Sequence, residues 1–360
     1  MISIGKPLLG DEEKQAVMEV LDSGWLVQGP RVKAFEEAFA KYIGASHAVA
    51  ITNGTLALHA AFLTFRLGPG DEVVTTPFSF IASSNAIRMC GAKPVFADID
   101  PETYNLDPLS MEEKITDKTK VVMPVHLYGN PADMGSIMRI AKARSVGVAE
   151  DAAQAHGAEF NGKRCGSFGN VAAFSFYPSK NMTCGEGGMV TTNEDAAATT
   201  LRLIRDHAQQ EKYKHAFLGY NYRMTEMCAA IGTEQLKKLD GFNRKRTENA
   251  KFLTEQLEDV KGLVTPVTCN GAKHVYHLYT IRILDGKRDH VQQVLAQDGV
   301  DARVFYPVPI HKQPFYEREG HGSFPEAEKA SREVLSLPVH PALSQDDLET
   351  IVNAVKKAIA

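Results

Sequence analysis

Residues 147–181 read GVAEDAAQAHGAEFNGKRCGSFGNVAAFSFYPSKN: two compact apolar runs, Gly147–Glu150 and Val171–Tyr177, each followed by polar residues. Short runs without polar alternation are those of strands buried on both faces. Five more surround them: His47–Thr52 (HAVAIT), Glu72–Thr76 (EVVTT), Pro94–Ala97 (PVFA), Lys120–Val125 (KVVMPV) and Gly188–Thr192 (GMVTT). Helical stretches, Leu56–Arg66, Ile81–Cys90 and Asp133–Arg144, separate several of them. Strand alternating with helix is the signature of a mostly parallel sheet covered on both faces, which predicts one large α/β domain over residues 1–245. Upstream, Val17, Val20 and Leu21, then Val32, Phe35, Phe39 and Ile43, recur at helical spacing, and each run stops at a glycine, Gly24 or Gly44. Two helices therefore open the chain. Downstream, a long charged helical stretch over Thr225–Val260, a strand at Val275–Ile283, a helix at Arg288–Gln297 and a closing helix at Leu343–Ala358 predict a smaller α+β domain over residues 246–360.

Composition narrows the function classes. The 360 residues are 44% hydrophobic, 23% charged and 8% aromatic, which excludes disorder, collagen and coiled coil and allows a core large enough for an enzyme pocket. A net charge of −4 supplies no broad basic field for nucleic acid or anionic lipid, and the cluster Arg244-Lys245-Arg246 reads as a solvated helix face. Five scattered cysteines without a C-x-x-C pair suggest neither a disulfide framework nor a zinc ribbon and fit a reducing compartment. The N-terminus carries charges where a signal peptide needs an apolar run, and no apolar run reaches the ~18 residues that span a bilayer. The expectation is a cytoplasmic protein with neither a nucleic-acid nor a membrane partner. Twelve dispersed histidines and no H-E-x-x-H give no metal site. Gly157–Arg164 matches G-x-x-x-x-G-K, but Arg164 replaces the Ser/Thr that holds magnesium and no clear strand ends at Gly157, so a P-loop is rejected; no G-x-G-x-x-G follows the first strand.

In open α/β sheets ligands bind beyond the carboxyl ends of the strands, and three such ends carry chemistry. After HAVAIT, Asn53-Gly54-Thr55 opens a helix; a glycine, a hydroxyl and a helix N-terminus suit a phosphate, an ordinary N-cap being the alternative. After GVAE stands Asp151, a carboxylate whose burial requires a cationic or hydrogen-bonding partner; it either faces a ligand or caps Ala152–Ala155. After VAAFSFY comes Lys180, ahead of Gly185-Glu186-Gly187-Gly188. A desolvated lysine attacks carbonyl groups, whereas a lone loop lysine is simply solvated. Together the three match the needs of pyridoxal phosphate: a lysine for the Schiff base, an acid that keeps the pyridine nitrogen protonated, and a clamp for the phosphate.

Five ordered motifs extend this set: Ser23-Gly24-Trp25-Leu26 with Gly29-Pro30, Asn53-Gly54-Thr55-Leu56-Ala57-Leu58, Glu150 to Gly157 (EDAAQAHG), Phe174 to Asn181 (FSFYPSKN), and Asn221-Tyr222-Arg223-Met224. On them the chain resembles, over nearly its whole length, the DegT/DnrJ/EryC1/StrS sugar aminotransferases, fold type I pyridoxal-phosphate enzymes. The resemblance implies Lys180 as the catalytic residue that carries the cofactor, Asp151 on the pyridine nitrogen, and Gly54, Thr55 and Ser175 on the phosphate. It further implies Phe80 stacked on the ring, with Phe78 as a substitute because the loop after Thr76 is one residue shorter than in many members, and Gln154 on the cofactor's hydroxyl side. Asn221 and Arg223 correspond to the segment that the family sends into the neighbouring subunit's site, which implies a homodimer with shared active sites; Arg223 paired with an acid such as Glu226 is the alternative. His311, in Pro307 to Pro314 (PVPIHKQP), resembles a motif near the sugar, and substrate contact and a structural role both stay open.

Lysine at 180, where related sugar dehydratases carry histidine, favours transamination. Met182 to Gly188 (MTCGEGG) resembles the T-T-G-E-G-G form common among enzymes aminating sugar C4, with Cys184 departing from threonine. The implied reaction moves the amino group of L-glutamate to a nucleotide-linked 4-keto-6-deoxy sugar. Amination at C3 or of a keto-cyclitol, and a non-catalytic regulator of the same fold, are the alternatives.

Overall fold

The computed structural model describes residues 1–360. Seven strands, β1 (His47–Ile51), β2 (Glu72–Thr75), β3 (Lys93–Phe96), β4 (Thr119–Met123), β5 (Gly147–Asp151), β6 (Val171–Ser175) and β7 (Gly188–Thr192), form one sheet in the order β1-β7-β6-β5-β4-β2-β3. β7 pairs antiparallel with both β1 and β6; the pairs β6–β5, β5–β4, β4–β2 and β2–β3 are parallel. The carboxyl ends of all strands except β7 therefore share one edge, and the amino end of β7 joins them there.

Alternate residues of the strands enter two different cores, as the period of two requires. Val49 and Ile51 of β1 pack with Ala57, Phe62 and Leu201 from the helices Gly54–Thr64 and Asp195–Arg205. Ala48 and Ala50 face the other way, towards Phe35 and Phe39 of the Pro30–Ile43 helix. There Phe39 meets Phe174 edge to face at 5.0 Å, a geometry favoured by the ring quadrupoles. A sheet sealed on both faces leaves only its strand ends for a ligand.

A second, three-stranded antiparallel sheet has Tyr279–Ile283 between Leu263–Val264 and Val334–Leu337. It has its own apolar cluster, shared with the helices Arg288–Gln297 and Gln345–Ile359. One helix, Glu226–Leu257, runs unbroken through position 245, placing Ala229 and Leu239 in the large sheet's core and Leu253 and Leu257 in the small one's.

Several expectations need correction. The run VAAFSFY leaves the sheet at Ser175, before Pro178, which has no amide to donate to a ladder. The strand expected from Val275 begins at Tyr279, because the amides of Val275 and Leu278 go to Gly129 O (3.0 Å) and Tyr128 O (3.2 Å). Arg246 is not on a solvated face: it is buried and its guanidinium donates to the carbonyls of Tyr276 and His277, both at 3.2 Å. The G-x-x-x-x-G-K segment folds as a hairpin, Glu159–Phe160 against Lys163–Arg164, around Asn161 and Gly162, both at positive φ. No helix is long and apolar enough to cross a membrane.

Candidate active site

Asp151 is the last residue of β5. Its amide donates to Pro124 O (2.9 Å) and its carbonyl accepts from His126 N (3.0 Å), which ties it to the exit of β4. The side chain is 4% exposed; Oδ2 accepts from Ser83 Oγ at 2.8 Å and Oδ1 from Ala153 N at 3.2 Å. Ser83 also shares a 2.9 Å hydrogen bond with Ser79, which lies in the loop ahead of the Ala82–Met89 helix. No helix follows at Ala152–Ala155; there Asp151 caps only a turn, through Ala153 N, while its other oxygen is held by Ser83. Burial pushes its carboxyl above the usual aspartate range, while Ser83, Ala153 and the Lys180 charge pull it back.

Lys180 is half-buried at the end of a turn in which its amide donates to Tyr177 O at 2.9 Å. Loss of water lowers its ammonium to about 8, against an opposing pull from the Asp151 carboxylate. Each charge thus favours the ionised form of the other, while burial opposes both.

The neighbour Glu150 is a scaffold. It is almost fully buried and accepts from the amides of Gly166 (2.7 Å), Phe168 and Gly169 (both 2.8 Å). His126 completes the cage. Its Nδ1 accepts from Ala132 N at 3.1 Å, so Nε2 carries the proton and donates to Glu150 at 3.0 Å.

At the end of β1, Asn53 caps the Gly54–Thr64 helix by accepting from Leu56 N at 2.9 Å. The amides of Gly54 and Thr55, the first two of the helix, are left without a helical acceptor. A Cβ on Gly54 would stand 2.6 Å from Ser175 Cβ, so only glycine brings this helix start against the exit of β6. Gly54, Thr55 and Ser175 thus meet in one cradle. Gln154 Oε1 accepts from Tyr128 N (2.7 Å) and its amide donates to Tyr306 OH (3.3 Å). Phe80 is 55% exposed, its ring 6.2 Å from that of Tyr306, whereas Phe78 is fully buried against Tyr104 and Tyr306. Phe80 is the aromatic left open to a ligand.

Three expected residues stand apart within the single chain. Arg223 pairs with Asp206, not Glu226, and Asn221 beside it is exposed. Glu226 instead caps another helix, accepting from the amides of Gly29 (2.9 Å), Arg31 and Val32 (both 2.8 Å). Thr52 N donates to Tyr222 O at 3.0 Å, which lays the Asn221–Arg223 segment beside the end of β1. His311 is buried, 3.1 Å from Glu328 and edge-on to Phe324 at 4.8 Å. Sequence reasoning missed Ser83 and Tyr306, whose partners lie far away in the sequence.

The lysine, the buried carboxylate with a donor on each oxygen and the anion cradle fit pyridoxal phosphate. The sequence matches the model of the DegT/DnrJ/EryC1/StrS aminotransferase family over residues 7–356. The chain belongs to this family. Among the family's proteins it is similar to a pleiotropic regulatory protein of Geobacillus stearothermophilus, 44% identical over 96% of this chain and 95% of that one. It is also similar to a dTDP-3-amino-3,6-dideoxy-alpha-D-galactopyranose transaminase of Aneurinibacillus thermoaerophilus, 42% identical over 96% and 95% of the two chains. The crystal structure of DesV from S. venezuelae in complex with a ketimine intermediate superposes with a TM-score of 0.94 at 40% identity, covering 97% of this chain and 94% of that one. The protein is thus a pyridoxal-phosphate-dependent aminotransferase of fold type I, in a family that acts on nucleotide sugars.

Proposed function

We propose that this aminotransferase moves the amino group of L-glutamate to C4 of a nucleotide-linked 4-keto-6-deoxy sugar, as a cytoplasmic homodimer. Residues 1–245 form its cofactor-binding domain and residues 246–360 its small domain. The observation that carries the reading is the buried Asp151 carboxylate at the carboxyl edge of the sheet, held by Ser83 and Ala153, with Lys180 in the turn after the neighbouring strand β6. When bound, pyridoxal phosphate supplies the electron sink that lets a C–H bond next to nitrogen ionise.

The side chains supply the rest. Lys180 Nζ holds the cofactor and, once released by the amino donor, carries the proton to and from the reacting substrate carbon; an amine titrating at about 8 is suited to both directions near neutral pH. Asp151 holds a proton on the pyridine nitrogen, and Ser83 and Ala153 fix its orientation. Gly54, Thr55 and Ser175 bind the phosphate, with Asn221 or Arg223 reaching it from the partner subunit. Gln154 lies on the hydroxyl side, Phe80 covers the ring, and His311 contacts the sugar or serves structure alone. Exposed Trp25 (55%), Val27 (64%) and Leu218 (77%) support a subunit interface on the side of Asn221.

The choice of C4 rests on Met182 to Gly188. C3 is the second reading, favoured by the relative named for a 3-amino sugar. Intact Lys180 and Asp151 support catalysis over a purely regulatory role. The deciding experiment is a single-turnover screen of the pyridoxamine-loaded enzyme against nucleotide-linked 4-keto and 3-keto sugars, with the amination site read by NMR. Reaction with 3-keto sugars alone refutes the C4 reading, and reaction with neither refutes the substrate class.

A further inference from the structure

The reaction just proposed gives no part to Tyr306, whose segment belongs to the small domain. Arg303, three residues before it, is joined to Ser336 of the small sheet in both directions, Ser336 N to Arg303 O at 2.8 Å and Arg303 N to Ser336 O at 3.0 Å. Tyr128 OH donates to the carbonyl of Phe305, so the segment is also tied to the loop after β4. From there the Tyr306 ring lies 6.4 Å from that of Phe78 and 6.2 Å from that of Phe80, and its hydroxyl is 3.3 Å from the Gln154 amide nitrogen. Phe80 stands shortly before Ser83 and Gln154 shortly after Asp151, so this one side chain packs beside both segments that carry the Ser83–Asp151 pair.

The backbone settles the direction of these hydrogen bonds. Gln154 Oε1 accepts from Tyr128 N at 2.7 Å, and a backbone N–H only donates, so the other end of the Gln154 side chain is its NH2 group. One proton of that group goes to the Tyr306 hydroxyl, and no other group of the chain accepts from it. The second proton is free for a ligand. On the reading that places Gln154 on the cofactor's hydroxyl side, we propose that Tyr306 is a positioning residue: it holds the Gln154 amide so that this second proton is presented to the ring oxygen of pyridoxal phosphate. Without the Tyr306 acceptor the NH2 group has no anchor of its own, and the last torsion of a glutamine side chain is soft. The small domain thereby sets the orientation of a group on the large domain's cofactor face.

The consequence is spectroscopic. A donor at the ring oxygen competes for the proton that this oxygen shares with the lysine nitrogen, and so eases the loss of that proton. A loosened donor moves the pH midpoint of the bound cofactor's visible absorbance upward. Burial pushes the Tyr306 phenol up, so Tyr306 itself stays un-ionised while the cofactor titrates.

Spectrophotometric pH titration of the holoenzyme tests the proposal without using activity. Tyr306→Phe keeps the ring contacts and removes only the hydroxyl. Its absorbance midpoint should rise by about half a pH unit, the equivalent of a roughly threefold change in an equilibrium constant. Gln154→Leu should shift the midpoint at least as far, and Tyr306→Phe should add nothing in that background, because residues that act as one unit are not additive. A midpoint moved by Gln154→Leu but not by Tyr306→Phe overturns the role of Tyr306 alone. A midpoint moved by neither overturns it together with the reading of Gln154. An undiminished further shift from Tyr306→Phe in the Gln154→Leu chain means that Tyr306 acts without Gln154, and also overturns it.

Discussion

Ser83 Oγ donates a 2.8 Å hydrogen bond to Asp151 Oδ2 in a place closed to water. This bond favours the ionised carboxylate against the burial that disfavours it. Ser83→Ala should cost roughly 1.5 kcal/mol, about tenfold in kcat/KM, as expected for a hydrogen bond to a charged group. Removal of a donor raises the Asp151 pKa further, and the ionised form is the active one. The acid limb of the pH–rate profile should therefore move to higher pH; an unmoved limb contradicts the role given to Ser83.

Asp151→Asn keeps the shape and removes the charge. Turnover should fall by at least about a hundredfold, ~3 kcal/mol of barrier, because an amide cannot hold the pyridine nitrogen protonated. Circular dichroism should show an unchanged fold and absorbance should show bound cofactor. Near-normal turnover in such a loaded variant refutes the assignment.

Lys180 gives a pH dependence of definite sign. Its pKa is lowered from 10.5 to about 8 on folding, so between those values the unfolded chain binds more protons than the native apoprotein. Stability from this group therefore rises with pH through the window from about 8 to 10.5. Urea titrations of the apoprotein should show that rise, and Lys180→Met should lose it. The rate of cofactor capture should increase with pH through about 8 in parallel; a midpoint near 10 in both measurements contradicts the desolvation of Lys180.

Asn221 and Arg223 are argued to act across subunits. Mixing inactive Lys180→Ala with an inactive Asn221→Ala/Arg223→Ala chain should restore part of the activity, since a heterodimer has one site with wild-type groups from both chains. Subunit exchange is shown first with differently tagged chains. Confirmed exchange without recovered activity removes the shared site.

The sheet was legible because strands covered on both faces read as continuous apolar runs, and six of them set the edge on which Asp151, Lys180 and Gly54 meet. What escaped were contacts made over long sequence distances. Ser83 is one small hydroxyl in a short helix and its partner is 68 residues away. Arg246 belongs to a charged run, and only carbonyls 30 and 31 residues on, at Tyr276 and His277, make its burial tolerable. Glu226 looks like any acidic first-turn residue, yet its acceptors serve a different helix, 194 to 197 residues upstream. No local periodicity carries such information.

The central claim is that Lys180 carries the cofactor and the chemistry. Borohydride reduction of the holoenzyme, followed by proteolysis and mass spectrometry, fixes pyridoxal phosphate to whichever lysine holds it. The label should fall on Lys180 alone, and Lys180→Ala should take up none. Label on Lys163 or any other lysine, with Lys180 unmodified, contradicts the account.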